Sequence, residues 1–130
     1  MARKFLYKGM EADEAKKLSM EDFIKLVPTK SRRTLQRMSI QVKKFLEKYR
    51  KHLAKSPGKP YKTHVREMVI IPEMIGERLA VYNGKEYVEF TIGPEMLGHR
   101  LGEYSITIKQ VRHSGPGVGA TRGSKAVELK

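Results

Sequence analysis

The chain has 130 residues, with 27 Lys plus Arg against 14 Asp plus Glu, a formal net charge of +13. That length fits one domain with a short tail or arm, and 39% apolar residues give it a modest core. The lack of cysteine removes disulfides, thiolate zinc sites and a thiol nucleophile, and no run approaches the ~20 apolar residues of a membrane helix. The opening Met1-Ala2-Arg3-Lys4-Phe5 lacks the apolar stretch of a secretory signal, so the expectation is a soluble cytoplasmic protein with no membrane partner.

Charge is unevenly distributed. Residues 1–29 carry 6 basic and 5 acidic groups, 30–66 carry 13 and 1, 67–108 carry 3 and 7, and 109–130 carry 5 and 1. The second stretch, at net +12 (13 − 1), would repel itself unless a polyanion neutralised it, and nucleic acid is the natural candidate.

Within residues 1–29, Ser19 suits a helix N-cap with Asp22 three residues on. Phe23, Ile24, Leu26 and Val27 then precede a stop at Pro28. This predicts a helix covering one side of a core. Thr29 or Ser31 then caps a longer helix through about His52, in which Leu35, Met38, Val42, Phe45, Leu46, Tyr49 and Leu53 recur at spacings of three and four. Arg32, Arg33, Arg37, Lys43, Lys44, Lys48, Arg50 and Lys51 fill the other positions, opposed by Glu47 alone. A merely solvated face mixes signs for i,i+4 pairing, so this imbalance points to phosphate contact.

Lys55-Ser56-Pro57-Gly58-Lys59-Pro60 reads as a loop. Lys62-Thr63-His64-Val65-Arg66 leads into Met68-Val69-Ile70-Ile71, a run of strand type. Leu79-Ala80-Val81-Tyr82 and the alternating Tyr87-Val88-Glu89-Phe90-Thr91-Ile92 follow, joined by Asn83-Gly84, which predicts a two-residue type I′ hairpin. Bracketing that hairpin, nearly the same pentapeptide is written twice, 22 residues apart: Pro72-Glu73-Met74-Ile75-Gly76 and Pro94-Glu95-Met96-Leu97-Gly98. Each predicts a single helical turn opened by Pro and stopped by Gly.

From Gly98 the chain reads as a bent connection into an extended segment. The last residues, 114–130, hold Gly115, Pro116, Gly117, Gly119 and Gly123 and little to bury, which predicts a basic tail disordered when free. The expected class is α+β, a small three-stranded mixed sheet packed with helices. Its expected divisions are an N-terminal helical extension (1–29), a globular RNA-binding domain (30–113) and the flexible tail (114–130).

Enzyme motifs fail. No glycine pair in 115–125 has both P-loop spacing and a following Lys, and Arg122 occupies the place of the third dinucleotide-fingerprint glycine after Gly117 and Gly119. The four histidines have neither Cys partners nor HExxH spacing, so no metal site or cofactor is expected. Glu73 and Glu95 suit turn capping better than acid–base work. Enzymatic function is not expected.

For nucleic acid, the residues favour backbone contact over base readout. The expected RNA-binding set begins on the long helix with Arg32, Arg33, Arg37, Lys43 and Lys44. It continues through Lys62, His64 and Arg66, the turn residues Asn83 and Lys85, and the pair His99 and Arg100. It ends with Lys109, Arg112 and His113 and, in the tail, Arg122 and Lys125. Arg100, His99, Tyr82 and Tyr104 suit stacking on, or hydrogen bonding to, unpaired bases. Charge alone leaves open a general nucleic-acid architectural module, and an adaptor meeting an acidic protein.

Three segments carry a family resemblance: Val81-Tyr82-Asn83-Gly84-Lys85; Pro94-Glu95-Met96-Leu97-Gly98-His99-Arg100-Leu101-Gly102-Glu103-Tyr104; and Gly115-Pro116-Gly117-Val118-Gly119-Ala120-Thr121. Together they resemble the S-nineteen family of small-subunit ribosomal proteins, in its archaeal and eukaryotic branch (S-fifteen in eukaryotes). The likeness spans roughly residues 22 to 125, and the Arg32-Arg33 pair also resembles the family's basic lead into its long helix. Ile108 departs from the Arg of the bacterial branch, and Ala126-Val127-Glu128-Leu129-Lys130 departs from the usual ending of this one. The resemblance implies a three-stranded α+β fold and a place in the head of the small ribosomal subunit, on the 3′ domain of its RNA. It further implies a neighbour of the S-thirteen family, and a tail directed toward the decoding region and transfer RNA.

Overall fold

The structure is a computed structural model and describes residues 2–119. Four helices come first: α1 (Ala12–Lys16), α2 (Met20–Leu26), α3 (Thr29–Arg37) and α4 (Ile40–Lys55). A sheet of β1 (Tyr61–Thr63), β2 (Arg78–Tyr82) and β3 (Tyr87–Thr91) follows, with three single 3-10 turns at Pro72–Met74, Pro94–Met96 and Leu101–Tyr104. The α+β class and the mixed sheet are as expected: β1 runs parallel to β2, and β2 antiparallel to β3.

Ser19 caps α2 as predicted, its hydroxyl oxygen accepting from the Asp22 amide at 3.2 Å. The predicted single long helix is instead two. Met38 takes a left-handed conformation (φ 42°) that ends α3, and Ser39 restarts the chain by accepting from the Val42 amide at 3.4 Å. The apolar spacing hides this break, because Leu35 and Val42 are seven residues apart and would share a face of one helix.

Helix α4 lays its buried stripe of Val42, Phe45, Leu46 and Tyr49 on the sheet. Phe45 and Tyr49 stack with ring centroids 5.9 Å apart, and Tyr61 of β1 meets both rings edge-on at 5.6 Å. Burial first, then Glu77 and Glu73, push the Tyr49 hydroxyl well above its ordinary pKa, so it stays neutral. Ala15 of α1, Phe23 of α2 and Val27 just past the end of α2 join the same core. Fully burying one side chain of the size of Phe23 contributes about 2–3 kcal/mol.

Met68-Val69-Ile70-Ile71 is not a ladder strand, although all four residues are fully buried. Its backbone pairs with residues 98–101: Ile70 N–H donates to His99 O (2.8 Å), Gly98 N–H to Ile70 O (3.2 Å) and Leu101 N–H to Met68 O (3.0 Å). The first strand of the sheet is Tyr61–Thr63 instead.

The predicted two-residue hairpin is also longer. Tyr82 pairs with Tyr87 across a four-residue loop, and Asn83 does not take the positive φ that a type I′ turn requires. Its side-chain oxygen builds the loop, accepting from the amides of Lys85 and Glu86, both at 2.9 Å.

Both pentapeptides form the predicted turns, each closed by a glycine at positive φ: 85° at Gly76 and 79° at Gly98. They also clasp each other. Gly76 N–H donates to Ile92 O and Ile92 N–H to Glu77 O; 22 residues along, Gly98 N–H donates to Ile70 O and Ile70 N–H to His99 O. The two units, roughly 68–79 and 90–101, are thus related by a local two-fold exchange of the same four bonds.

Candidate nucleic-acid interface

The basic residues fall into two groups. Arginines of the first group hold the fold together. Arg32 donates to the carbonyls of Ile24 (3.2 Å), Lys25 (3.0 Å) and Val27 (3.3 Å), satisfying the open end of α2. Arg66 makes four hydrogen bonds: to Tyr82 O at 2.8 Å, Ser105 Oγ at 3.0 Å, Gly102 O at 2.9 Å and Ser105 O at 2.7 Å. Gly102 allows that approach, since a Cβ there would sit 3.1 Å from the Arg66 Cβ and carbonyl. Buried Ser105 completes the clamp by donating to Val81 O at 3.1 Å. Arg100 ties the second unit to α3, donating to Thr34 Oγ1 at 2.9 Å and to Glu67 O at 3.3 Å.

The second group is open to solvent. Arg33, Arg37, Lys43, Lys44 and Lys48 are exposed along α3 and α4, and Lys62 is exposed on β1. None of these six has an ion pair among the described residues. Arg50 differs, because Glu73 holds it bidentately at 2.9 and 3.3 Å. The sequence predicts that Glu73 caps its turn; it reaches α4 instead, and neither pentapeptide turn has a side-chain cap.

Between α4 and β1 lies an open groove of about 710 Å³, lined by Gln41, Lys44, Lys48, Tyr61, Lys62, His64 and Glu67 among others. His64, on the groove's lining, also packs against Tyr82 and Tyr87 beside it, with centroids at 4.6 and 5.3 Å. Lys85 is exposed in the hairpin loop, whereas Asn83 is occupied in building it.

His99 is half-exposed and contacts Glu103 through Nδ1 at 2.8 Å, so one ring nitrogen is already engaged. Tyr104 lies between Phe90 (5.6 Å) and His99 (6.2 Å), and burial, then Glu103 and Glu95, raise its hydroxyl pKa. Lys109, Arg112 and His113 are exposed on an extended segment; Arg122 and Lys125 lie outside the described residues. The structure therefore gathers Lys44, Lys62, His64 and Arg66 around one groove, Arg66 while also bound into the scaffold, and leaves Arg32 and Arg100 in the scaffold alone. Tyr87 and Lys48 belong to this surface too. The cross-strand position of Tyr87 opposite Tyr82 follows only once the hairpin register is known.

No group of three potential metal ligands occurs among the described residues, and no helix there is long and apolar enough to cross a membrane.

Residues 32–113 match the family model described as Ribosomal protein S19. Archaeal relatives named Small ribosomal subunit protein uS19 extend the likeness to nearly the whole chain. The one from Saccharolobus solfataricus is 50% identical over 98% of this chain and 93% of its own length. That from Thermoplasma acidophilum is 48% identical over 99% and 83%, and that from Metallosphaera sedula 48% over 98% and 93%. With its twin-turn scaffold and near-complete alignment to these relatives, the chain belongs to the ribosomal protein S19 family, in its archaeal and eukaryotic branch.

Proposed function

We propose that the chain binds ribosomal RNA in the head of the small subunit, on the 3′ domain, chiefly through phosphate contacts. As a member of the ribosomal protein S19 family it is a structural constituent of the small ribosomal subunit, not an enzyme, and it serves translation in the cytoplasm. The observation that carries the RNA reading is the open cationic surface of α3, α4 and β1. Arg33, Arg37, Lys43, Lys44, Lys48 and Lys62 have no carboxylate partner among the described residues. A cluster of one sign is costly in water and is relieved by a polyanion whose counterions are released.

In this reading residues 30–113 carry the RNA-binding surface, 1–29 form an N-terminal helical extension packed on that domain, and 114–130 form a tail directed toward the decoding region and transfer RNA. The family resemblance also supports a neighbouring protein of the S-thirteen family as a contact in the head. Lys109, Arg112 and His113 would make the contacts that lead into that tail.

The test is binding of the full chain to the 3′-domain fragment of its small-subunit RNA and to an unrelated folded RNA of equal length, across a salt series. Preferred binding of the fragment, with log K falling by about 0.7–0.9 per phosphate contacted for each tenfold rise in salt, supports the reading. Equal binding of both RNAs favours the general architectural module. Undiminished competition by duplex DNA would favour it too.

A further inference from the structure

We infer that the ring cluster beside the groove is a stacking site for one unpaired RNA base, set next to the lysines that take its phosphates. This inference rests on the RNA-binding reading above and adds a base contact to it. His64 follows the end of β1, Tyr82 closes β2 and Tyr87 opens β3 directly across from it, so the sheet brings three rings together at one end. Their centroids lie 4.6, 5.1 and 5.3 Å apart, and the Tyr87 hydroxyl reaches the His64 ring at 3.4 Å. Tyr82 is half-buried and forms the base of the cluster. His64 and Tyr87 are exposed, Tyr87 by 37%.

A cross-strand tyrosine pair by itself stabilises a hairpin. It does not account for an exposed histidine resting on both rings, nor for Lys62 Nζ standing 5.5 Å over the Tyr87 ring. Lys62 and His64 also line the groove with Lys44 and Lys48, where Glu67 is the acid present. Aromatic faces flanked by lysines make an arrangement that holds single-stranded RNA: every base offers a π face, and its attached phosphates meet the cations. A partner protein's arginine would also stack, but the three lysines of the groove would repel it.

The experiment uses the full chain and two fluorescent probes of about ten nucleotides, a single-stranded oligouridine and an abasic ribose-phosphate strand of the same charge. The expected result is roughly tenfold tighter binding of the base-bearing strand, a ratio that collapses toward one in a His64→Leu/Tyr87→Leu variant with unchanged salt dependence. Leucine preserves apolar cross-strand contact while removing the π faces. If that double variant has a lower melting temperature, His64→Ala, at an exposed residue past the strand end, carries the comparison instead. Equal binding of the two probes by the unaltered chain overturns the inference while leaving the phosphate reading intact. A ratio retained in the variants overturns it as well, placing the stack on other rings. Failure of both probes to bind overturns the inference as well, and the phosphate reading then stands or falls on the 3′-domain fragment.

Discussion

The two pentapeptide units share a backbone and differ in what their side chains face. In the first, Met74 is fully buried and Ile75 nearly so, behind a fully buried lead-in of residues 68–71. In the second, Met96 is half-buried, Leu97 is buried, and the lead-in alternates between Phe90, exposed Thr91 and buried Ile92. After the glycine, the first unit continues as Glu77-Arg78 into a strand, the second as His99-Arg100 into a 3-10 turn. The same hydrogen-bonded corner thus serves as interior in one place and as surface in the other. Burial, rather than the repeated sequence, sets the weight of each matched residue.

Matched substitutions sharpen this contrast. Met74→Ala leaves a cavity in a closed core and should lower urea-unfolding stability by about 3 kcal/mol, whereas Met96→Ala should cost about 1 kcal/mol. Equal losses would break the assignment of interior and surface. Arg78 and Arg100 are the next pair. Arg100→Ala removes bonds to Thr34 and Glu67 O and should cost about 1–2 kcal/mol. Arg78→Ala breaks only an exposed pair with Glu89 and should cost under about 0.5 kcal/mol.

The glycines should instead behave alike. Gly76→Ala and Gly98→Ala each force a Cβ into the left-handed region at about 1–2 kcal/mol by thermal unfolding. At Gly98 the nearest atom to a new Cβ, Val27 Cγ1 at 3.4 Å, is an ordinary contact. Smaller still, Glu73→Gln loosens the exposed pair with Arg50 by about 0.5 kcal/mol or less. Glu95→Gln, which has no ion pair among the described residues, should leave the melting temperature unchanged. Beyond both units, a Lys109→Ala/Arg112→Ala variant should weaken RNA binding in a filter assay with no change in unfolding, because neither side chain is packed.

Much of this was legible locally. The Ser19 cap, the twin turns and the in-out alternation of β3 each depend on residues a few positions apart, and each was readable from the sequence. The break at Met38-Ser39 was not, because the apolar stripe runs through it in register. Residues 62–66 read only as a lead-in, since the three strand residues Tyr61–Thr63 carry no periodicity, while the more apolar 68–71 reads as the strand. Its partners are some thirty residues away, in the second unit. The binding set was legible as charge but not as role. Arg32, Arg66 and Arg100 look like Arg33 and Arg37 in sequence, and only the convergence of backbone carbonyls around them reveals that they bind the chain to itself. In sequence Asn83 is a turn residue through its tolerance of positive φ, yet it acts through its side-chain oxygen.

The reciprocal clasp has a kinetic consequence. Each unit supplies both a donor and an acceptor to the other, so opening either corner loosens the seam that carries its counterpart. The amide hydrogens of Ile70, Gly76, Ile92 and Gly98 should therefore exchange with deuterium through one shared opening, at a common protection, even though they span 28 positions of sequence (98 − 70). A repeat joined in this way behaves as a single cooperative hinge pin, and the surface built on its second half inherits the rigidity of the buried first.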